Sequence, residues 1–167
     1  MATNTLLMSA VDYLRTSFEG PEPDFVDGEL VERSVPNLAH SRTQIRLSDA
    51  FKCLEDSRQL FRAPEIRLRV SPKRFRVADF AVFSTEVHDL IPECPPYAVV
   101  EIVSPDDRYE DIMGKLGDYQ DAGVEYIFLA DPPLRKLSRY QRGDLAGVMA
   151  LELPAYEAAI PLSSIFG

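Results

Sequence analysis

The sequence contains little cysteine and no long hydrophobic run. Its two cysteines, Cys53 and Cys94, form no CxxC motif, so neither a disulfide framework nor a cysteine-based zinc site is expected. No apolar stretch approaches the roughly 20 residues that a helix needs to cross a bilayer. The short apolar start, Leu6-Leu7-Met8, lacks a basic leader, which argues against a signal peptide. These absences predict a soluble protein of the reducing cytoplasm.

Positive charge is also scarce overall, but it is concentrated in one segment. The chain has 18 Lys and Arg residues against 27 Asp and Glu, and its net charge of −9 argues against nonspecific adhesion to nucleic acid. Between Arg33 and Arg76, however, eleven basic residues accompany only four acidic ones. This segment can present a surface to phosphates, although a solvated helix face with exposed strand edges explains the same charges equally well.

Turn residues divide the chain into the elements of a mixed α/β fold. With 167 residues and 46% hydrophobic content, the chain is expected to form one globular domain. An Asp-Gly pair predicts a hairpin over 25–31. Residues after Pro154 are expected to form a short strand or loop and a final turn. Apolar periodicity predicts helices over 9–17, 37–58 and 104–122, and strands over 65–70, 76–83, 97–103, 124–130 and 136–140.

The segment Ser104-Pro105-Asp106-Asp107 has the composition of a helix start. It offers a serine cap, a proline at the first helical position and acids in the first turn. Gly123 supplies a C-terminal stop for the same helix. Ser104 is therefore interpreted as a cap rather than a nucleophile, because no histidine adjoins it in a recognisable catalytic arrangement.

Two carboxylates lie inside apolar strand patterns. Asp79 and Glu101 each share a strand face with apolar side chains, because side chains alternate between the two faces of a strand. Burying a lone carboxylate there costs several kcal/mol unless a cation or a strong donor compensates it. Two such acids on neighbouring strands favour a shared divalent cation such as Mg²⁺. Strand ends in water, or ion pairs with arginine, explain the two acids about as well.

The predicted helix after Glu101 carries a third candidate. Lys115 and Arg108 fall at the rim of its apolar face, which comprises Tyr109, Ile112, Leu116 and Tyr119. A lysine at the rim can lay its stem on the apolar surface and extend its ammonium towards the strand ends. A lysine that serves only solubility explains the same position. Beside the two acids, Lys115 becomes a candidate partner for a phosphate or a water.

Motifs that match one known family occur along nearly the whole chain. They lie at 25–33, 40–41, 75–79, 95–97 and 100–108, and continue through Lys115, Tyr119, Gly123-Val124 and Asp131-Pro132. Together they resemble the Uma-two family of putative restriction endonucleases, which is placed in the PD-(D/E)XK nuclease superfamily. The resemblance implies a restriction-endonuclease-like core, a mixed β-sheet flanked by α-helices. It implies a single domain over 1–167, with an N-terminal helix and linker (1–24), a nuclease core (25–140) and a C-terminal extension (141–167).

The resemblance also implies the site residues by position. Asp79 matches the acid of the PD element, and Glu101 matches the acid of the (D/E)XK element. With the backbone carbonyl of Ile102, these carboxylates would hold Mg²⁺ or Mn²⁺. Ala78 stands where proline is usual, a change that removes no chemical group used there.

A second departure concerns the lysine of the motif. Val103 occupies the usual lysine place, and Lys115 is the implied replacement as the third catalytic residue. Glu29 and His40 recur in the family pattern as auxiliary residues. Glu29 would be a further ligand, and His40 would bind phosphate or orient the water. A solvated hairpin acid and a histidine bonded to nearby backbone explain these two positions equally well.

The predicted activity is metal-dependent hydrolysis of phosphodiester bonds by an endodeoxyribonuclease. Arg69, Lys73 and Arg74 are expected to contact the DNA backbone. Cutting two strands favours a homodimer. Two alternatives remain open: a catalytically degenerate nuclease fold that acts as a binding or assembly module, and a metal-dependent hydrolase of small phosphate esters.

Overall fold

A computed structural model describes residues 7–167. The helices are α1 (Ala10–Arg15), α2 (Leu38–Ala50), α3 (Lys52–Asp56), α4 (Tyr109–Asp121) and α5 (Leu162–Phe166), with a 3₁₀ helix at Pro154–Tyr156. The first five strands are β1 (Asp24–Val26), β2 (Glu29–Val31), β3 (Phe61–Ser71), β4 (Arg74–Phe83) and β5 (Ala98–Ile102). The others are β6 (Tyr126–Asp131), β7 (Lys136–Gln141), β8 (Asp144–Val148), β9 (Ala150–Leu153) and β10 (Ala158–Pro161).

Eight strands form one mixed sheet around the long strand β4. The order is β2-β1-β4-β5-β6-β7-β8, and β3 pairs with the other edge of β4 along almost its whole length. Strands β5 and β6 are parallel, and α4 is the crossover between them. The remaining pairs in the described chain are antiparallel, including the separate β9–β10 ribbon.

One edge of β4 is shared by two short strands, and the sheet opens between them. Strand β1 pairs with β4 at Arg74 and Phe75, whereas β5 pairs with it only from Phe80 to Val82. Within residues 7–167, the ladder on this edge therefore stops before Arg76 and resumes after Asp79. On this edge, the backbone groups of residues 76–79 can therefore bond side chains instead of a neighbouring strand.

Apolar cores cover both faces of the sheet. One core joins alternate residues of β4 and β5 to α2 and α5, through Leu47, Phe51, Phe80, Val100, Ile165 and Phe166. The other joins the intervening residues to α4, through Ala81, Phe83, Val99, Leu116 and Tyr119. The helices thus lie on both sides of the sheet, and the mixed α/β fold expected from the sequence is confirmed.

The prediction of one continuous helix over 37–58 is wrong, because the structure has two helices there. Helix α2 ends at Ala50 and α3 begins at Lys52. The guanidinium of Arg62 donates to the carbonyl of Ser48, the acceptor that residue 52 would use in an unbroken α-helix. Phe51 is buried at the break, where it packs against Phe80. A partner from β3 therefore ends the helix, which local periodicity does not reveal.

The predicted start of α4 is also wrong. The helix begins at Tyr109, and Arg108 is its N-cap residue. Residues 104–107 form a turn in which the amide of Asp107 bonds the carbonyl of Ser104, and the Asp107 carboxylate accepts from the Ser104 amide. The carboxylate also accepts from the hydroxyl of Ser34. These bonds hold the segment as a separate turn before the helix.

The C-terminal region contains more regular structure than expected. Strand β8 extends the large sheet, and β9 and β10 form a ribbon before α5. Leu151, Leu153, Ile160 and Ile165 are buried, so this region contributes directly to the core that α2 covers. None of the helices within residues 7–167 combines the length and apolar character needed to span a membrane.

Candidate active site

A cavity of about 250 Å³ lies where the sheet opens beside β4. Asp79 from β4, Glu101 from β5 and Lys115 from α4 all line it. The structure thus brings together the three residues that the sequence predicts as catalytic. The segment after β2, helix α2 and the turn after β5 complete the wall with residues that include Arg33, Ser34, His40, Ser104 and Asp107.

Asp79 is buried, with 4% of its surface exposed. Its Oδ1 accepts from Nη2 of Arg33 at 2.7 Å, and its Oδ2 accepts from the amide of Ile102 at 2.8 Å. Gln44 fixes the backbone of the same residue, because its side-chain amide donates to the Asp79 carbonyl at 2.7 Å. Burial raises the pKa of Asp79, while the charges of Lys115 and Arg33 oppose that rise.

Glu101 is equally enclosed, with 6% of its surface exposed. Its Oε2 accepts from Nζ of Lys115 at 2.7 Å, and its Oε1 accepts from the hydroxyl of Tyr119 at 2.7 Å. Burial raises the pKa of Glu101 to about 7, despite the opposing charge of Lys115. The nearby carboxylate of Asp79 also contributes to this rise. Glu101 therefore titrates near neutral pH in the metal-free protein.

The ammonium of Lys115 is fixed by two acceptors. Its Nζ donates to the carbonyl of Val77 at 2.8 Å as well as to Glu101, and Oδ2 of Asp24 lies 4.0 Å away. Because an ammonium has three donors, one N–H remains for a further acceptor. Burial lowers the pKa of Lys115, but Asp24, Glu101 and Asp79 outweigh it and the pKa is raised. The lysine is therefore charged at neutral pH.

The predicted apolar face of α4 holds only towards the middle of the helix. Leu116 and Tyr119 are fully buried, as expected. Tyr109 is the first residue of the helix and is 67% exposed, and Arg108 is the N-cap residue rather than a residue on the rim of the face. The sequence identified Tyr119 only as a member of the apolar face and the family pattern. Its hydroxyl in fact binds Glu101 directly.

His40 contacts Ser104, which the sequence analysis interprets as a helix cap. The imidazole is buried, with Nδ1 at 3.2 Å from Oγ of Ser104 and Nε2 at 3.8 Å from Oδ1 of Asp79. Ser104 does not cap a helix. Its hydroxyl is occupied by His40, 64 residues earlier in the chain, a pairing that no local pattern predicts. Burial lowers the pKa of His40, so the imidazole is neutral at neutral pH.

Glu65 is a neighbour of Asp79 that the sequence analysis missed, and it lies outside the cavity lining. Its neighbours on β3, Pro64 and Ile66, pair with Phe80 and Ala78 of β4, so Glu65 lies opposite Asp79, with a backbone φ of 49°. Its carboxylate accepts from Nη1 of Arg33 at 2.9 Å and from the side-chain amide of Gln44 at 3.1 Å. The sequence shows Glu65 only as one acid in a basic segment, and the strand register is needed to place it beside Asp79.

The donors around the cavity fit a divalent cation. The carboxylates of Asp79 and Glu101 offer the hard oxygen atoms that such cations prefer, and Ile102 also lines the cavity. A second set comprises His40, Glu65 and Asp79, whose ligand atoms all lie within 4.8 Å of one another. Within residues 7–167, Nε2 of His40 is a buried nitrogen without a hydrogen-bond partner. Such a nitrogen fits metal ligation.

Four further residues predicted for the site lie outside the cavity lining. Glu29 is exposed on β2, and Arg69 and Lys73 are exposed on the β3–β4 hairpin. Arg74 starts β4, and its guanidinium bonds the carboxylates of Asp27 and Asp118. The structure therefore does not bring these four residues to Asp79 and Glu101.

Comparisons with known proteins define the family. The family model Uma2, described as "Putative restriction endonuclease", matches residues 10–164, and the chain belongs to this family. The resemblance noted in the sequence is thereby confirmed. The chain matches none of the curated proteins with which it was compared.

One solved structure shares the fold of this chain over nearly its whole length. The crystal structure of a putative nuclease belonging to DUF820 from Anabaena variabilis superposes with a TM-score of 0.83 and 17% sequence identity. The alignment covers 95% of this chain and 97% of that chain, and it shows the restriction-endonuclease-like fold. The cryo-EM structure of a DrdV–DNA complex aligns with a TM-score of 0.37 and 11% identity, over 76% of this chain and 12% of that chain. At that score the second alignment carries no argument.

Proposed function

We propose that this protein is a divalent-cation-dependent endodeoxyribonuclease that hydrolyses phosphodiester bonds. One observation carries the proposal: Nζ of Lys115 lies 2.7 Å from Glu101 in a cavity that Asp79 also lines. Two acids and a lysine are the residue types that the nuclease motif requires. Val103 stands at the usual lysine position, and α4 supplies Lys115 from the next element instead.

The proposed cation ligands are Asp79, Glu101 and the carbonyl of Ile102. A bound Mg²⁺ or Mn²⁺ would supply Lewis acidity, polarising a phosphoryl oxygen and making water a better nucleophile. The lining favours this assignment, because seven Asp and Glu residues face only four Lys and Arg around the cavity. Such a surface repels a phosphodiester unless a cation offsets the carboxylates.

Lys115 would stabilise the negative charge that develops on the phosphate. Two of its donors are held by Val77 and Glu101, which fixes the direction of the third. A preorganised donor of this kind lowers the barrier without reorganisation at the moment of reaction. Tyr119 would position Glu101 through the second carboxylate oxygen.

We propose DNA as the substrate and a homodimer as the active form. Arg69 and Lys73 are exposed and would contact phosphates, whereas Arg74 already binds two carboxylates and would contribute less. One cavity cleaves one strand at a time, which is the reason to propose two copies for double-strand cleavage. We also propose that the protein is cytoplasmic, where it would meet the proposed DNA substrate. A reducing compartment suits the two exposed free thiols of Cys53 and Cys94.

The proposal is tested by incubating supercoiled and linear DNA with the purified chain in Mg²⁺ or Mn²⁺. Cleavage is expected in the parent, is lost in Asp79→Ala, and is retained in Asp144→Ala, which changes an exposed aspartate of β8. No cleavage by the parent in either cation would favour the binding-module alternative. A small phosphodiester hydrolysed in preference to DNA would favour a hydrolase of small phosphate esters.

A further inference from the structure

A buried nitrogen in the cavity wall lacks the partner that such atoms normally have. His40 has 4% of its surface exposed, and its Nε2 makes no hydrogen bond within the described part of the chain. Buried polar atoms are bonded in the large majority of cases. With its proton on Nδ1, the imidazole donates to Oγ of Ser104 and keeps a lone pair on Nε2. This lone pair can be donated to a cation, as in metal-bound histidines.

Two carboxylates stand beside this nitrogen. One oxygen from each of Glu65 and Asp79 lies within 4.8 Å of the His40 ligand atom and of the other oxygen. Gln44 holds both residues, because its amide donates to the Glu65 carboxylate and to the Asp79 carbonyl. Glu65 also keeps a positive φ of 49°, which a residue with a side chain rarely adopts. The surrounding structure therefore holds Glu65 in this position against its backbone preference.

A positive charge already bridges the two carboxylates. Arg33 donates from Nη1 to Glu65 at 2.9 Å and from Nη2 to Asp79 at 2.7 Å. The guanidinium balances the negative charge of the two carboxylates, but it makes no bond to Nε2 of His40. A metal ion between the three residues would satisfy all of them, and Arg33 would then be released towards the cavity that it lines.

We infer that His40, Glu65 and Asp79 form a second site, which binds a divalent transition-metal cation in competition with Arg33. The inference goes beyond the proposed nuclease function, although the two sites share Asp79. An imidazole nitrogen with two carboxylates suits cations such as Mn²⁺, Co²⁺ and Zn²⁺, whereas Mg²⁺ prefers oxygen ligands alone. Ser104 orients the imidazole, as outer hydrogen-bond partners of metal-bound histidines commonly do.

The composition of the chain allows a direct test, because it contains only two histidines. Imidazole nitrogens of the metal-stripped full chain would be observed by two-bond ¹H–¹⁵N correlation NMR, and His88→Gln would assign them. Zn²⁺ is the probe, since it is diamagnetic and reports ligation through the nitrogen shift. At stoichiometric Zn²⁺, the Nε2 signal of His40 is expected to move to a metal-bound position. The exposed His88 should stay unchanged, and Mg²⁺ should not move either signal.

Variants identify the ligands. Glu65→Gln is expected to weaken Zn²⁺ binding, measured by calorimetry, by roughly 10- to 100-fold or more, and Ser104→Ala by about 10-fold. Arg33→Gln should tighten binding by removing the competing charge. Glu101→Gln should leave the His40 shift intact, which separates this site from the proposed nuclease ligands. Glu65 is exposed, so its variant tests the site even where a substitution of the buried His40 prevents folding.

The outcomes distinguish this inference from the nuclease proposal. An unmoved Nε2 signal in both the parent and Arg33→Gln would overturn the second site, whether or not DNA is cleaved in Mg²⁺. A shifted signal that requires Glu65 would establish the site even if the protein cleaves no DNA. Loss of the shift in Glu101→Gln would also overturn the inference as stated, because the nitrogen would then belong to a site centred on Glu101.

Discussion

Nζ of Lys115 and Oε2 of Glu101 lie 2.7 Å apart, although the two residues belong to different elements and are 14 positions apart in the chain. The β5–α4–β6 crossover produces this contact, because it lays α4 across the face of the sheet that Glu101 occupies. The family resemblance implies a lysine shortly after the acid, at the position that Val103 occupies here. In the structure, a helix residue instead reaches the acid from above the sheet.

The first prediction concerns Lys115. Lys115→Met keeps the apolar stem and removes the charge, so DNA cleavage in Mg²⁺ is expected to slow by roughly 100-fold or more. Single-turnover rates would measure the effect. Lys136→Met, a change of an exposed lysine on β7, is the matched control and should cleave at the parent rate. Equal rates for Lys115→Met and the parent would assign Lys115 to a structural role and require another cation at the site.

The second prediction concerns the pH dependence of stability without metal. The folded-state pKa of Glu101 is about 7, above its usual value of 4.5, so the folded protein binds this proton more tightly than the unfolded chain does. The resulting stabilisation is complete below about pH 4.5 and is lost as the pH rises through about 7. Glu101→Gln removes this titration. Its free energy of unfolding relative to the parent should rise by about 3 kcal/mol between those limits.

Urea unfolding in the presence of a chelator, at about pH 5 and about pH 8, would measure that difference. Glu29→Gln changes an exposed glutamate outside the cavity and should show no comparable pH dependence. A constant difference between Glu101→Gln and the parent at both pH values would show that Glu101 keeps an ordinary pKa in the folded protein.

The third prediction concerns the proposed Mg²⁺ ligands. Calorimetric titration of the metal-free chain with Mg²⁺ is expected to show binding that both Asp79→Asn and Glu101→Gln remove, because each substitution deletes a charged oxygen ligand. Circular dichroism should show that both variants remain folded. Asp144→Asn is the control for a change of surface charge. Undiminished Mg²⁺ binding in the two cavity variants would contradict the proposed ligand set.

The fourth prediction concerns the binding of DNA. Neutralising both Arg69 and Lys73 should weaken binding and make its salt dependence shallower, by a slope of about 0.9 for each phosphate that the protein no longer neutralises. Arg74→Gln should have a smaller effect, since Asp27 and Asp118 already bind its guanidinium. Fluorescence anisotropy in Ca²⁺ over a series of salt concentrations would measure the slopes. Arg142→Gln, an exposed change at another turn, is the control.

An unchanged slope after neutralising Arg69 and Lys73 would remove the β3–β4 hairpin from the DNA interface. The binding surface would then have to be sought elsewhere, beginning with Arg108 at the cavity.

Local sequence patterns were sufficient to predict the main strands and to place the two acids inside them. Asp79 and Glu101 each lie in a continuous run of apolar residues, which is typical of a strand that other elements cover on both faces. Helical periodicity likewise placed Lys115 beside the buried face of α4, next to Leu116. These features depend on residues that are close in sequence. The spacing of apolar side chains along a strand or a helix is therefore enough to predict them.

Only the tertiary structure brought Glu65, His40 and Arg33 to Asp79. Glu65 faces Asp79 because β3 and β4 pair in one particular register, and a shift of that register would place a different residue there. His40 meets Ser104 across 64 residues, and this contact also accounts for the failed prediction of a helix cap. The sequence by itself determined that Asp79 and Glu101 lie within apolar strands, but not that Asp24 and Asp118 are also buried. The strand register and helix packing decided which cations and donors surround Asp79 and Glu101. Those contacts join segments that are far apart in the sequence, and no local pattern in either segment predicts them.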